Sequence, residues 1–403
     1  MGAKTNEEGE WMTMKIKRDY PALLMVVAAL MFFLSVAISP AMAQTASKEA
    51  YKIGTVFSLT GSFANVGSMQ QRAIALEIER LNSKGGIKGQ RIEHISYDDQ
   101  SQADTAGLLV KKLAKQDKVS VILGPTGAWT IMPIKPTIQQ MKIPDIASGA
   151  ITINPGDKYL FNLVVGVEMG NEVYMNFVKQ RGWTQIVSLQ TMDDVGDRAS
   201  AYLKSLAGKY GIQIVGEERF NTQDKDITPQ LSKLKAAKPQ ALLSWCSGDA
   251  AVLVYKNMRQ LGMDIPYMPS GGAASSRFFK LIGDVPKENL LFTLGGKLQV
   301  IDSIPDSDPV KAAGLEFRQM YVAKFNAPPE NLEAVAWDLT AMAVNAMKAV
   351  GTNPEKVRNY IENIKMSGLQ ANYIMTPSDH NGVDKNSVIM LMGLGSKWQV
   401  VPK

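Results

Sequence analysis

Few residues in this sequence could carry covalent or metal chemistry. The chain has a single cysteine, Cys246, and two histidines, His94 and His380. His94 lies in an alternating strand-like pattern and His380 in a turn-like Ser-Asp-His-Asn-Gly stretch, so their spacing supports neither a Ser-His-Asp triad nor a zinc site. Cys246 follows the apolar residues 241–245 and is expected to be a small buried hydrophobe. We therefore predict a protein that is not an enzyme, with no catalytic residue, no metal and no cofactor.

The glycine-rich and acidic stretches do not point to chemistry either. Residues 85–89 (GGIKG) follow a helical pattern instead of a strand, and so do not fit a dinucleotide fingerprint. Asp98 and Asp99 are adjacent, and neighbouring residues of an extended chain point to opposite sides, which disfavours a metal pair. We expect these aspartates to end a strand and cap the next helix.

One short stretch does invite a ligand. Residues 124–129 (GPTGAW) follow the apolar run 119–123 (VSVIL) and precede a helical pattern. A glycine-rich turn between a strand and a helix exposes backbone N–H groups at a position where α/β proteins bind small molecules. The sequence therefore predicts a ligand-contacting loop here, with Trp129 either in contact with the ligand or in the core of the helix that it opens.

Composition and charge limit the choice of partners. The chain has 403 residues, 45 % of them hydrophobic, and a formal net charge of +6. That length suits two globular domains. The basic residues are scattered without a long run, so we interpret them as a solvated surface and predict no nucleic-acid partner. No helical face argues for a dimer, and we expect a monomer.

Residues 1–43 have the pattern of a secretory signal peptide. Basic residues precede an apolar run at 22–38, and Ala41 and Ala43 then stand in an A-x-A arrangement. Cleavage after Ala43 would leave a mature chain that starts at Gln44. With one cysteine the chain can form no internal disulfide and no lipid-attachment cysteine follows the leader, so we expect a free periplasmic protein. The apolar run is close to the lower limit for a membrane span, which leaves a retained anchor as the alternative.

Strand-like and helix-like segments alternate along the mature chain. Short β-branched runs alternate with segments of helical periodicity, and the pattern starts again after about 130 residues. The predicted strands are 51–59, 91–97, 119–123, 185–190, 212–220 and 241–246, followed by a final pair at 387–394 and 398–402. The predicted helices are 68–86, 105–117, 197–211, 227–239, 248–262, 312–326 and 332–350. This is the order of an α/β fold with parallel sheets.

Ligands of open parallel sheets bind beyond the carboxyl ends of the strands. The loops that follow the strands are 60–67, 124–129, 147–149, 191–196, 244–248 and 270–273. We expect the binding residues in these loops.

Several stretches resemble one known family. They are residues 51–67 (YKIGTVFSLTGSFANVG), 82–101 (NSKGGIKGQRIEHISYDDQS), 119–125 (VSVILGP), 143–150 (IPDIASGA), 195–218, 226–243 and 336–342 (AWDLTAM). Together they resemble the extracytoplasmic substrate-binding proteins of ABC transporters of the branched-chain amino-acid type, the type I periplasmic binding proteins of the Leu/Ile/Val-binding family. The resemblance covers Tyr51 to Pro402.

The resemblance implies a fold and partners. It implies two Rossmann-like lobes joined by three crossovers, with the ligand in the cleft between them. Lobe one would take residues 50–165 and 297–372, and lobe two residues 166–296 and 373–403. Ligand would favour the closed state of the lobes, and the closed protein would dock on the membrane permease subunits of the transporter.

The family's ligand-binding positions can be carried over to this sequence. In lobe one the candidates are Ser62, Phe63, Val66, Ala128, Trp129, Ala147, Ser148 and Gly149; in lobe two they are Val195, Ser247, Gly271 and Gly272. The resemblance implies an aromatic residue where Val66 stands, a carboxylate-binding serine where Ala128 stands, and an acid for the ligand's ammonium near Gly271.

The missing acid bears on the ligand. A buried ammonium without a countercharge costs several kcal/mol. Asp193, Asp194 or Asp249 could replace the acid, because they lie in the right loops; otherwise the ligand has no ammonium. Since Trp129 and its small neighbours suit a flat ring, we predict an apolar or aromatic carboxylate. The alternatives are a branched-chain or other hydrophobic amino acid and, in a different class, a ligand-sensing receptor domain or regulator.

Overall fold

The computed structural model describes residues 50–283 and 290–402. The predicted signal peptide lies outside these residues. Within the described part no helix is both long and apolar enough to cross a membrane. Residues from Ala50 onward cluster as one compact unit.

The first layer is built on a five-stranded parallel sheet of order β2-β1-β3-β4-β5. Its strands are β1 (Tyr51–Phe57), β2 (Ile92–Asp98), β3 (Val121–Thr126), β4 (Asp145–Ser148) and β5 (Leu160–Asn162). The helices between them are α1 (Ala64–Ser83), α2 (Ala103–Lys112) and α3 (Ala128–Met141). In register, Ile53 of β1 lies opposite His94 on one side and Val121 on the other. Every residue of β3 is buried, as expected for a strand covered by helices on both faces.

The second layer repeats this plan around a four-stranded parallel sheet of order β7-β6-β8-β9. Its strands are β6 (Gln185–Thr191), β7 (Gln213–Phe220), β8 (Ala241–Ser244) and β9 (Tyr267–Pro269). Its helices are α4 (Val167–Gln180), α5 (Asp194–Tyr210), α6 (Thr228–Ala236), α7 (Gly248–Gln260) and α8 (Ser276–Ile282). The predicted α/β class with two helix-flanked parallel sheets is confirmed.

The last part of the chain contributes to both layers. Its helices are α9 (Lys311–Phe325), α10 (Asn331–Val350) and α11 (Pro354–Ile361). Strands β11 (Lys365–Ser367) and β12 (Asn372–Ile374) form a hairpin. A separate antiparallel sheet has β13 (Ile389–Leu394) between β10 (Phe292–Gly295) and β14 (Lys397–Val400). Helix α10 packs along α1 and so belongs to the first layer. The antiparallel sheet adjoins β9 of the second layer through the bridge between Tyr267 and Leu291.

Segments that run between the layers meet at one buried carboxylate. Asp338 of α10 accepts hydrogen bonds from the backbone N–H groups of Leu369 (2.6 Å) and Gln370 (2.9 Å) and from the Tyr373 hydroxyl (2.8 Å). The Tyr373 oxygen also lies 3.3 Å from the carbonyl oxygen of Leu163, at the exit of β5. Burial raises the pKa of Asp338 to about 7, although these three donors act in the opposite direction.

Candidate functional site

The loop after β1 is held by the end of β2. Asp98 accepts hydrogen bonds from the backbone N–H of Leu59 (2.8 Å) and from the hydroxyl of Thr60 (2.7 Å). Burial opposes its charge, but these bonds and one from Gln100 outweigh burial and hold the pKa of Asp98 below its usual value. The prediction that the aspartates cap the following helix is wrong, since the N-cap residue of α2 is Gln102. The aspartates instead fix the neighbouring loop.

An aromatic pair stands at the carboxyl end of β1 and β3. The rings of Phe63 and Trp129 meet edge to face, with centroids 4.0 Å apart. The indole turns back over Gly127, which has a φ of +95°, and a Cβ on Gly127 would lie 2.5 Å from indole carbons. Trp129 is 41 % exposed. Of its two interpretations, a core position in the helix does not agree with this exposure.

A buried polar chain lies below the aromatic pair. The Thr126 hydroxyl donates to Oε1 of Gln70, whose Nε2 donates to Oγ of Ser148 at 2.5 Å. All three residues are buried. Because Gln70 is the donor to Ser148, the Ser148 hydroxyl keeps its own proton to donate.

The rest of the loop after β4 is already engaged. Gly149 donates its N–H to Oδ1 of Asn162 at 3.1 Å, so this N–H is not free to bind a ligand in the described arrangement. Ala147 is part of the buried core beneath α2 and α3. Of the three residues predicted in this loop, Ser148 offers a donor with its own proton. On the β1 loop, Ser62 is exposed, while Val66, like Phe63, is partly buried.

The loops of the second sheet bring the predicted lobe-two residues to one edge. A Cβ on Gly272 would lie 2.8 Å from the Cβ of Ser247, and a Cβ on Gly271 would lie 3.0 Å from the Leu294 carbonyl oxygen. The loops after β8 and β9 are therefore in contact. Val195, on the first turn of α5, is partly buried and packs on the large hydrophobic core.

Two of the three possible countercharges for an ammonium have other roles. Asp193 caps α5 by accepting from the Gly196 N–H (2.8 Å). Asp249 pairs with Arg277 at 2.9 Å. Asp194 is exposed on the first turn of α5.

Side chains join the edges of the two layers. Arg198 of α5 donates from Nη1 to Oγ1 of Thr152, in the loop after β4, at 3.0 Å. Asn331, at the start of α10, donates from Nδ2 to the carbonyl oxygen of Gly271 at 3.1 Å. Sequence reasoning missed both contacts, because each joins residues far apart in the sequence, 46 positions for Arg198 and Thr152 and 60 for Asn331 and Gly271.

A cavity of about 230 Å³ lies where the loop after β4 continues past Gly149. It is bounded by that loop, by the first turn of α4 and by the turn after β12. Its lining residues are Ile151, Thr152, Ile153, Asn154, Pro155, Gly166, Glu168, Met169, Pro377, Ser378, Asp379, His380 and Asn381. The predicted ligand-contacting residues do not line this cavity, whose lining begins at Ile151, two residues after Gly149.

The two histidines and the cysteine lie in packed positions. Burial lowers the pKa of His94 to about 4, so this histidine is neutral at physiological pH. His380 stacks on Phe161 with centroids 4.4 Å apart. Cys246 is buried, as predicted, and burial raises the pKa of its thiol. Among residues 50–283 and 290–402, no three His, Cys, Asp or Glu side chains are grouped to hold a metal ion.

Comparison with known proteins places this geometry in context. A family model for periplasmic binding proteins matches residues 50–391. The chain is 24 % identical over 359 residues to a leucine-, isoleucine-, valine-, threonine- and alanine-binding protein of Pseudomonas aeruginosa, covering 88 % of this chain and 91 % of that one. It is 21 % identical to Leu/Ile/Val-binding protein homolog 1 of Brucella abortus, covering 76 % of this chain and 80 % of that one.

Solved structures share the fold. An extracellular ligand-binding receptor from Rhodopseudomonas palustris HaA2 superposes with a TM-score of 0.77 at 23 % identity, covering 88 % of this chain and all of that chain. A branched-chain amino acid transporter substrate-binding protein from Streptococcus pneumoniae, in complex with isoleucine, gives a TM-score of 0.72 at 24 % identity, covering 88 % of this chain and 99 % of that chain.

Proposed function

Since the chain belongs to the periplasmic binding protein family, we propose that it is the exported substrate-binding subunit of an ABC importer and that it captures a small apolar or aromatic carboxylate. The expectation of a binding protein and not an enzyme is confirmed by the family and by the binding proteins among its relatives. The ligand, the permease and the cleaved leader are parts of the proposal.

The observation that carries the choice of ligand is the exposed indole of Trp129. A large aromatic side chain that stays 41 % exposed at the carboxyl end of a parallel sheet has an incomplete set of contacts. A ligand ring would complete them, and aromatic pairs contribute about 0.5–1.5 kcal/mol beyond the burial of their area. Phe63 holds the indole from the side and so reduces the freedom that Trp129 would lose on binding.

The polar groups at the same edge suit an acid. The Ser148 hydroxyl has a proton to donate and lies in the loop next to Trp129. On the opposite edge Asp193, Asp194 and Asp249 are all exposed, so none of the three is a buried countercharge for an ammonium. This supports a carboxylate without an ammonium as the ligand.

Transport would follow from the two-layer design. The ligand would contact loops of both layers. Because it would bind more tightly when the layers are close together, it would favour the closed arrangement over the open one. The proposed lobes consist of residues 50–165 with 297–372 and of residues 166–296 with 373–403. The closed protein would then deliver the ligand to the permease subunits, which belong to a transporter driven by ATP hydrolysis elsewhere.

Branched-chain or other hydrophobic amino acids are the second candidate. The named relatives from Pseudomonas and Brucella bind such amino acids by their names, and Asp194 remains exposed near the second edge. This candidate requires Asp194, or another acid, to approach the ammonium.

A thermal-shift panel separates these candidates. Benzoate, phenylpyruvate and 3-phenylpropanoate are compared with leucine and valine, each at the same concentration. We expect a rise in melting temperature with the aromatic acids, because ligand bound only to the folded state stabilises it. Stabilisation by leucine or valine, with none by the aromatic acids, would reject the aromatic assignment.

Sequencing the amino terminus of the exported protein tests whether the leader is cleaved. A start at Gln44 supports a free periplasmic carrier. An intact leader would favour the other class of function, an anchored ligand-sensing receptor.

A further inference from the structure

Arg198 carries two buried N–H groups that its surroundings leave unused. Nη1 donates to Thr152, but Nε and Nη2 are enclosed and have no hydrogen-bond partner among the described residues. A guanidinium normally uses its five N–H donors, and buried polar groups are nearly always paired. Because Thr152 belongs to the other layer, these unpaired donors lie where the two layers meet.

The position of these atoms makes closure sensitive to a ligand. Arg198 belongs to α5 of the second layer, while Thr152 belongs to the first. When the layers approach without a ligand, the two N–H groups lose water and gain no hydrogen bond in return. An unsatisfied buried donor destabilises the closed arrangement, and more so when the group is charged. A ligand that accepts from both would remove this penalty and so favour closure.

The geometry of the free edge defines the ligand group. Nε and Nη2 lie on one side of the planar guanidinium, and their two parallel N–H bonds match the two oxygens of a carboxylate. A neutral amide oxygen satisfies only one of them. The free edge therefore selects for an anionic, two-oxygen group.

A neighbouring cavity borders the two residues that contact Arg198, and Arg198 itself does not line it. Thr152 and Glu168, which flank Arg198, both line the cavity of about 230 Å³, and Ile151 and Met169 give it apolar walls. Oε1 of Glu168 lies 3.7 Å from Nε of Arg198, beyond hydrogen-bond distance, and its side chain is 47 % exposed. Ion pairs of that exposure are weak, so a ligand carboxylate can take the place of Glu168.

We propose that Arg198 binds the ligand's carboxylate through Nε and Nη2 and thereby couples ligand capture to closure of the two layers. The inference rests on the proposed function and adds a residue that none of the predicted positions includes. The carboxylate enters while the layers are apart, because both nitrogen atoms are enclosed when they are together. Arg198 is then the main determinant of acid over amide.

The test is a calorimetric comparison of an acid with its amide. The full-length mature protein is titrated with 3-phenylpropanoate and with 3-phenylpropanamide, as wild type, Arg198→Gln and Arg318→Gln. Arg318 lies on α9 and pairs with Asp302, so its variant controls for the loss of a positive charge. If the wild type binds leucine instead of the aromatic acid, leucine and leucinamide replace the probes.

We expect Arg198→Gln to weaken binding of the acid by about 10- to 100-fold, as the loss of hydrogen bonds to a charged group implies. The affinity of the Arg198→Gln protein for the amide should stay within about threefold of the wild-type value. The Arg318→Gln protein should bind both probes as the wild type does. The unliganded Arg198→Gln protein should melt no lower than the wild type, because it no longer buries unpaired charged donors.

An unchanged ratio of acid to amide affinity in Arg198→Gln would overturn the role of Arg198 and leave the proposed function standing. A wild type that binds none of these acids would overturn the proposed function itself. A fall in melting temperature with both affinities reduced alike would mean that Arg198 is only structural, and would also overturn the inference.

Discussion

Two tryptophans follow equivalent strands of the two sheets and end in opposite environments. β3 pairs with β1 in the first sheet as β8 pairs with β6 in the second. Trp129, after β3, is 41 % exposed, whereas Trp245, after β8, is 9 % exposed. The indole of Trp245 fills the space that a side chain on Gly170 would need, since a Cβ there would lie 2.0 Å from it.

The local chain explains the difference. Helix α3 begins at Ala128, so Trp129 stands on its first turn and turns back over Gly127 toward Phe63. Helix α7 begins only at Gly248, so Trp245, directly after β8, precedes the helix. Its backbone N–H donates to Oε1 of Gln190 at 2.8 Å. The start of the helix relative to the tryptophan therefore accompanies the difference in exposure of the two rings. The first edge leaves its ring partly exposed, which is what the proposed function requires, and the second edge uses its ring for packing.

The largest effect expected from this comparison is on stability. Trp245→Ala should lower the free energy of unfolding by about 3–5 kcal/mol, because it leaves a cavity against Gly170 and Tyr174. Urea unfolding followed by circular dichroism measures this. Trp129→Ala is the matched control. We expect it to lower the free energy of unfolding by less than about 1 kcal/mol, because Trp129 is 41 % exposed. Equal losses of stability in the two variants would contradict the difference between the environments of the two tryptophans.

The backbone at the two edges is built alike, which gives a second test. Gly67 on α1 and Gly196 on α5 each approach the end of the preceding strand so closely that a Cβ would lie 2.1 Å from a carbonyl oxygen, of Ser58 and Thr191 respectively. Gly67→Ala and Gly196→Ala should each destabilise the protein by about 1–3 kcal/mol, since the helix must shift.

Gly208→Ala provides the control in the same helix as Gly196. Nothing lies within 4 Å of a Cβ at that position, so alanine there should stabilise the protein by about 0.5–1 kcal/mol through helix propensity. Melting temperatures of the three variants distinguish the effects. If only one of Gly67→Ala and Gly196→Ala is destabilising, the two edges are not equivalent in their backbones.

Trp129→Ala should reduce affinity more than it reduces stability. Loss of the ring contact is expected to weaken binding of 3-phenylpropanoate by about 10-fold, from the aromatic contact energy and the lost apolar area. Binding is measured by calorimetry, because the variant lacks a tryptophan and its fluorescence could not be compared directly with that of the wild type. Trp129→Phe keeps an aromatic face and should recover part of the affinity. Unchanged affinity in Trp129→Ala would remove this residue from the site.

The sequence predicted the regular parts of this molecule and left the contacts between distant segments open. The first three strands of each sheet were predicted from short apolar or β-branched runs, such as β1 with its Ile, Thr and Val residues and β8 with its apolar Ala-Leu-Leu. The burial of Trp245 and Cys246 follows from the same strand pattern. The three-residue strands β5 and β9 are too short to show a period, and α4, α8 and α11 were not predicted.

The site was harder to predict than the fold. The exposure of Trp129 depends on the conformation of Gly127 and on Phe63, which lies on another loop. The engagement of Gly149 depends on Asn162, and that of Arg198 depends on Thr152. Such pairings arise from the packing of segments that are distant in the sequence, within the first layer for Trp129 and Gly149 and between the layers for Arg198. No local pattern in the sequence records them.

The most direct test of the central claim, that the edge of the first sheet recognises an aromatic or apolar acid, is a competition titration of the wild-type protein. 3-Phenylpropanoate is titrated calorimetrically into the protein alone and into protein saturated with leucine. The account predicts one saturable site for the aromatic acid, with an affinity that leucine does not change. Saturable binding of leucine, with no heat from 3-phenylpropanoate, would contradict it.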